Sequence, residues 1–192
     1  MGPQIQEAKR ALRQKVRAEL ANMTDAERAT ASAQARALLA AQPRWQRARS
    51  VLFFAPLPEE LDVWPLLVEA LAAGKTVCLP RFAAEKNHYI ACQVENPATD
   101  LKPGQFGIRE PVEGCAPIPL KRLDLILVPG IAYDLHGRRL GRGKGFYDRL
   151  LAGVRGTTCG VAFDLQIVRE LPVEPHDAHV DCILTPTRWL EL

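Results

Sequence analysis

A chain of 192 residues, 47% of them hydrophobic and 24% charged, has the material for one substantial core and is too apolar for a disordered segment. Its net charge of +3 suits anionic small molecules and argues against nucleic acid as a partner. Five cysteines, Cys78, Cys92, Cys115, Cys159 and Cys182, are odd in number, far apart and without a C-x-x-C pair, so they read as reduced packing residues in a reducing compartment. The N-terminus is charged from Glu7 onward and no apolar run is long enough to span a bilayer, so the expectation is a cytoplasmic chain that avoids membranes.

Ile5, Leu12, Val16 and Leu20 fall roughly at helical spacing, which predicts an amphipathic helix over 5–23. Thr24 followed by Glu27 is a capping box, announcing a second helix that runs to about Ala41, before Pro43. Short apolar runs then alternate with helical stretches, as when parallel strands are joined by crossover helices. The strands expected are 51–55, 76–79, 123–128, 158–163 and 182–184, with a further edge strand over 88–94. A helix over 63–73 takes Pro65 in its first turn and stops at Gly74. The stretch 95–120, rich in Pro and Gly, shows no period and reads as a long functional or mobile connection. These signs give a three-layer α/β fold: a mostly parallel central sheet flanked by helices, an N-terminal helical pair, and one domain over 1–192.

The most informative stretch runs from Asp124 to Leu151. A buried strand delivers the chain to a loop in which Gly141, Gly143 and Gly145 alternate with Arg142 and Lys144, and a helix begins near Phe146. Glycines let backbone N–H groups approach an anion, the helix N-terminus adds partial positive charge, and Arg139, Arg142 and Lys144 add full charges. That is the equipment of a polyphosphate site. The spacing is neither a P-loop nor G-x-G-x-x-G, and glycine-rich turns after strands are often only tight turns.

The whole string changes the balance. Pro129-Gly130, Tyr133-Asp134 and Gly137-Arg-Arg-Leu-Gly-Arg-Gly-Lys-Gly-Phe-Tyr-Asp148 closely resemble the signature of the 5-formyltetrahydrofolate cyclo-ligase (methenyltetrahydrofolate synthetase) family. In the family's order stand Lys9-Arg10-Ala-Leu-Arg13, Leu57-Pro-Glu-Glu60, Leu79-Pro80-Arg81 and His176-Asp177-Ala-His-Val-Asp181. The resemblance spans about residues 8–186 and is weak over 82–120. Phe146 stands where many members have Tyr.

The resemblance implies an enzyme that cyclises 5-formyltetrahydrofolate to 5,10-methenyltetrahydrofolate, with ATP as co-substrate and Mg2+ as cofactor. It implies that Lys9, Arg10, Arg13, Arg139, Leu140, Gly141, Arg142, Gly143, Lys144, Gly145, Phe146 and Tyr147 contact ATP. Lys9, Arg13, Lys144 and Tyr147 would act in catalysis, and Asp148 and Asp177 would hold Mg2+. The folate would meet Ala55, Glu60, Phe106, Arg142, Gly143, Lys144, Gly145 and Phe146.

Read without the resemblance, Lys9 and Arg13 are one helical turn apart and would pass for a solvated basic face. Asp148 would be a first-turn acid that suits a helix dipole. His176 and His179 would be loop residues rather than zinc ligands, having no Cys or third His nearby. Glu60 follows the first strand at the end where parallel sheets bind ligands, and a carboxylate there can accept the paired N–H donors of a pterin. The rival readings are an ATP-dependent kinase or ligase for another small carboxylate and a non-catalytic nucleotide- or folate-binding regulator. A monomer acting on small molecules is expected.

Overall fold

In the computed structural model, which describes residues 2–104, 107–172, 174 and 177–192, the chain opens with the expected helical pair. Helix α1 (Gly2–Ala21) buries Val16 and Leu20. Helix α2 (Asp25–Ala40) starts on a complete capping box: Thr24 Oγ1 accepts the Glu27 N–H at 3.2 Å, and Glu27 accepts the Thr24 N–H at 2.7 Å. A one-turn helix α3 (Pro43–Arg47) follows, with proline at its start. It was too short to carry a period and was not expected.

Strand β1 (Ser50–Leu52), helix α4 (Trp64–Ala72) and strand β2 (Thr76–Ala83) form a parallel crossover unit. Strand β3 (His88–Gln93) returns antiparallel to β2 and forms one edge of the sheet, as its sequence suggested. The next stretch is not irregular as expected. It holds an antiparallel two-stranded ribbon, β4 (Leu101–Pro103) and β5 (Arg109–Pro111). Strand β6 (Leu125–Pro129) re-enters the sheet, and β7 (Ala132–Asp134) with β8 (Arg139–Leu140) forms a small sheet above it. Helix α5 (Phe146–Leu151) leads to β9 (Thr157–Val161). Strand β10 (Ile167–Val168) joins the small sheet, while β11 (Cys182–Leu184) and β12 (Trp189–Glu191) complete the large one.

The seven-stranded sheet runs β12-β11-β9-β6-β1-β2-β3, parallel within and antiparallel at both edges. Successive residues serve opposite faces. Val51, Leu125 and Leu127 pack with α1, α2 and α4, whereas Leu52, Ile126 and Val128 pack with α5. Covering on both faces explains why β6 reads as an unbroken apolar run rather than an alternating one. All five cysteines are free and buried, and four of them lie on strands. No described helix is long and apolar enough to cross a membrane.

Candidate active site

The chain visits β1 at the centre of the sheet, moves outward through β2 and β3, and then returns to β6 on the other side of β1. The strand order therefore reverses between β1 and β6, and the segments leaving their C-terminal ends diverge to open a crevice. A cavity of about 300 Å3 lies there. Phe54, Ala55 and Glu60 reach it from the segment after β1, and Pro129 and Gly130 from the end of β6. Arg139, then Gly141, Arg142, Lys144 and Gly145 of the glycine loop, and Phe146, Tyr147 and Asp148 line it further.

The glycine loop sits between β8 and α5. Gly143 and Gly145 have φ of 103° and 65°, left-handed conformations that a side chain would strain. Helix α5 is only six residues long, so the dipole expected behind the loop is small, and the loop's positive charge comes from side chains. Lys144 is exposed, and no ion pair engages its ammonium among the described residues. Arg142 donates to Glu59 at 3.0 Å and to Glu60 at 2.9 Å. Glu60 also accepts the Leu57 N–H at 3.0 Å. Burial, only partly offset by these bonds, raises its carboxyl above the usual carboxylate range.

Arg139 is buried. One nitrogen donates to the Pro129 carbonyl at 3.2 Å and another to Asp148 Oδ1 at 2.8 Å, while Nε has no partner. Its guanidinium lies 5.6 Å from the centre of the Tyr147 ring. Burial, then the charge of Glu60, holds the Tyr147 phenol protonated well above its ordinary range. Phe146 packs edge-on to Phe82 and Tyr89, with ring centres 5.2 and 5.3 Å apart. Leu140 is buried in the core through its pairing with Ala132.

Helix α1 reaches the loop through one side chain. Arg13 Nε donates to the Gly141 carbonyl at 2.8 Å, and its guanidinium lies 3.7 Å from where a Cβ at Gly143 would sit. One turn earlier, Lys9 is buried and bonds Asp177 at 2.6 Å and Glu174 at 2.9 Å. Burial works to lower the Lys9 pKa, but these two carboxylates outweigh it and raise the value. So Lys9 is not a solvated basic residue, while Arg10, paired with Glu7 at 3.1 Å, is exposed. Lys9 and Asp177 lie outside the lining of the cavity. Asp148 and Asp177 hold different cations, Arg139 and Lys9. Phe106 and His176 fall outside the described residues.

Sequence reasoning missed four lining residues: Phe54 after β1, Tyr89 on β3, and Ile108 and Glu110 on or beside β5. Nothing local marked Glu110. Tertiary pairing brings it in: Arg109 stacks 3.6 Å from the centre of the Trp64 ring, and the Phe82 N–H donates to Glu110 at 3.0 Å.

Three comparisons with known proteins bear on this site. The family model described as the 5-formyltetrahydrofolate cyclo-ligase family matches residues 5–186. The 5-formyltetrahydrofolate cyclo-ligase of Escherichia coli K12 is 34% identical over 148 residues, which is 75% of this chain and 81% of that one. The mouse protein of the same name is 29% identical over 196 residues, 94% of each chain. The solution structure of Aquifex aeolicus 5,10-methenyltetrahydrofolate synthetase superposes with a TM-score of 0.86 at 38% identity, covering 96% of this chain and 92% of its own.

Proposed function

The chain belongs to the 5-formyltetrahydrofolate cyclo-ligase family, and from that premise we propose that it cyclises 5-formyltetrahydrofolate to 5,10-methenyltetrahydrofolate, with ATP converted to ADP and phosphate. The observation that carries this reading is the junction of Arg142 and Glu60, 2.9 Å apart at the reversal of strand order. It joins the phosphate-binding loop to an acid suited to a pterin.

The formyl oxygen on N5 is a poor leaving group. It would attack the γ-phosphorus in line as the bond to ADP breaks. N10 then bonds the formyl carbon, the carbon–oxygen bond to phosphate breaks, and the five-membered ring closes. The protein's contribution is positioning and charge stabilisation. Lys144 offers an unengaged cation to the phosphates, and Arg142 exchanges a carboxylate for them as substrate binds. Arg13, fixed on Gly141, braces the loop, Arg10 offers an exposed cation on α1, and Lys9, held by Glu174 and Asp177, would turn to the phosphates from its buried site. Glu60 accepts the pterin's paired N–H donors, while Ala55, Phe146 and Tyr147 wall the ring.

Of the two acids proposed to hold Mg2+, Asp148 lines the cavity and Asp177 lies outside its lining, against Lys9. Asp148 turns Oδ2 toward Gly145, 3.9 Å from the place of its Cβ, while Oδ1 holds Arg139. Among the described residues there is no cluster of three or more His, Cys, Asp and Glu to hold a metal, and Mg2+ needs only one or two carboxylates beside phosphate oxygens and water. Asp148 and Asp177 are its proposed ligands. When bound, the ion neutralises phosphate charge.

We further read residues 1–192 as one domain and the enzyme as a cytoplasmic monomer without nucleic-acid or membrane partners. The test of the activity is near-ultraviolet absorbance of the methenyl product after mixing protein, 5-formyltetrahydrofolate and MgATP. A rise that requires ATP supports the reading. No rise from folded protein that binds ATP would sink it.

A further inference from the structure

Three acids line the cavity, Glu60, Asp148 and Glu110; Asp148 is paired with Arg139, and among the described residues only Glu110 has no cation. Glu60 is paired with Arg142. Glu110 is 6% exposed; its Oε2 accepts the Phe82 N–H at 3.0 Å, but its Oε1 is buried without a hydrogen-bond partner among the described residues. The adjacent cations are committed elsewhere, Arg109 to the Trp64 ring and Arg81 to the Val112 carbonyl at 2.7 Å. Gly104 leaves the room in which Glu110 tucks, since a Cβ there would lie 2.5 Å from the Glu110 carboxyl carbon. Burying a carboxylate with half its acceptors empty and no counter-charge is costly. At a substrate cavity, that cost is offset when the bound molecule supplies the missing charge.

The surroundings favour a positive one. Tyr89, Phe146 and Tyr147 line the same cavity as Glu110, with Tyr89 5.3 Å from Phe146 and 6.4 Å from Tyr147 between ring centres. Aromatic faces attract cations. The lining thus combines Arg139, Arg142 and Lys144 with three aromatic rings and a carboxylate that has no cation among the described residues.

The proposed reaction separates charge in the same way. The formyl amide of the substrate is neutral, whereas ring closure leaves one positive charge shared by N5, the bridging carbon and N10. The γ-phosphoryl group departs with the former formyl oxygen, and the proton lost from N10 is accounted for on that phosphate. No oxidant or extra base is required.

We propose that Glu110 is the counter-charge of the methenyl cation, an electrostatic residue that favours the closed, positively charged ring over the open, neutral substrate. This rests on the cyclo-ligase reading. Glu110→Gln keeps an oxygen for the Phe82 N–H and removes the charge. In the wild type, 5,10-methenyltetrahydrofolate should bind at least about tenfold tighter than 5-formyltetrahydrofolate when titrated without ATP. In Glu110→Gln that ratio should fall by about tenfold, as expected for loss of one charge at close range. Its kcat should fall by about 100-fold with KM for ATP nearly unchanged.

A purely bracing role for Glu110 would weaken both folates equally and leave the ratio intact, which would overturn the proposal. So would a wild type with no preference for the cation, a measurement that stands even if the variant fails to fold. A wild type that forms no methenyl product would remove the parent reading as well, whereas an active wild type with an unmoved ratio removes this inference alone.

Discussion

Two segments that line the cavity, the loop 141–145 and the β4–β5 ribbon, are built in contrary ways. The loop 141–145 is polar, held on left-handed glycines, and presents Lys144 without an ion pair among the described residues. The β4–β5 ribbon is anchored by Arg109 on Trp64 and brings in a buried acid with no cation among the described residues. On the proposed function, the loop would meet anions that arrive with their charge already present, and the buried acid would meet charge that appears during reaction. One cavity would then serve both the phosphoryl transfer and the ring closure, with different side chains for each.

Substitutions on the two sides should separate cleanly. Lys144→Ala should lower kcat/KM for ATP by about 100- to 1,000-fold, the scale for losing one transition-state charge partner. Because Lys144 is exposed, its melting temperature should stay close to that of the wild type, and a large drop would show that the loop is structural. Glu60→Gln should raise KM for the folate by about 10- to 100-fold, the worth of a charge-assisted hydrogen bond, with KM for ATP far less affected. An equal rise in both would break the division of labour.

The acid limb sharpens the same point. Burial raises the Glu60 carboxyl above its ordinary 4.5, so on acidification folate affinity should begin to fall above pH 4.5, as the carboxylate gains its proton. Glu60→Gln should abolish that limb in titrations of folate binding. The smallest effect is expected from Trp64→Leu, which removes the brace under Arg109. A loss of about 0.5 to 2 kcal/mol should appear in thermal melts together with a modest rise in folate KM, while ATP binding is unchanged.

The same contrast explains what was legible in the sequence. The buried strands show because parallel strands covered on both faces need continuous apolar runs, as in Leu125–Val128 and Cys182–Leu184. The capping box at Thr24 and Glu27 shows because its partners are three residues apart. The loop 141–145 is visible because glycines and cations alternate along consecutive positions. Strands of two or three residues, such as β4, β5, β8 and β12, exist through pairing with distant segments and have no room for a period.

The ionic connections are equally non-local. Lys9 meets Asp177 across 168 positions, and Glu110 meets the Phe82 N–H across 28. The pairing of Arg139 with Asp148 spans nine residues and the whole glycine loop, a separation that no helical or strand period predicts. Lys9 looked like a surface charge from its spacing to Arg13, and only the return of the chain near 174–177 buries it.

The central claim is that one cavity couples phosphoryl transfer to ring closure. The direct measurement is a time course that follows methenyl absorbance and ADP release together in the same reaction of wild-type protein, 5-formyltetrahydrofolate and MgATP. The account predicts that both products rise at the same rate and in equal amounts, and that neither forms when the folate is left out. Methenyl product formed without ATP, or ADP released without methenyl product, would contradict it.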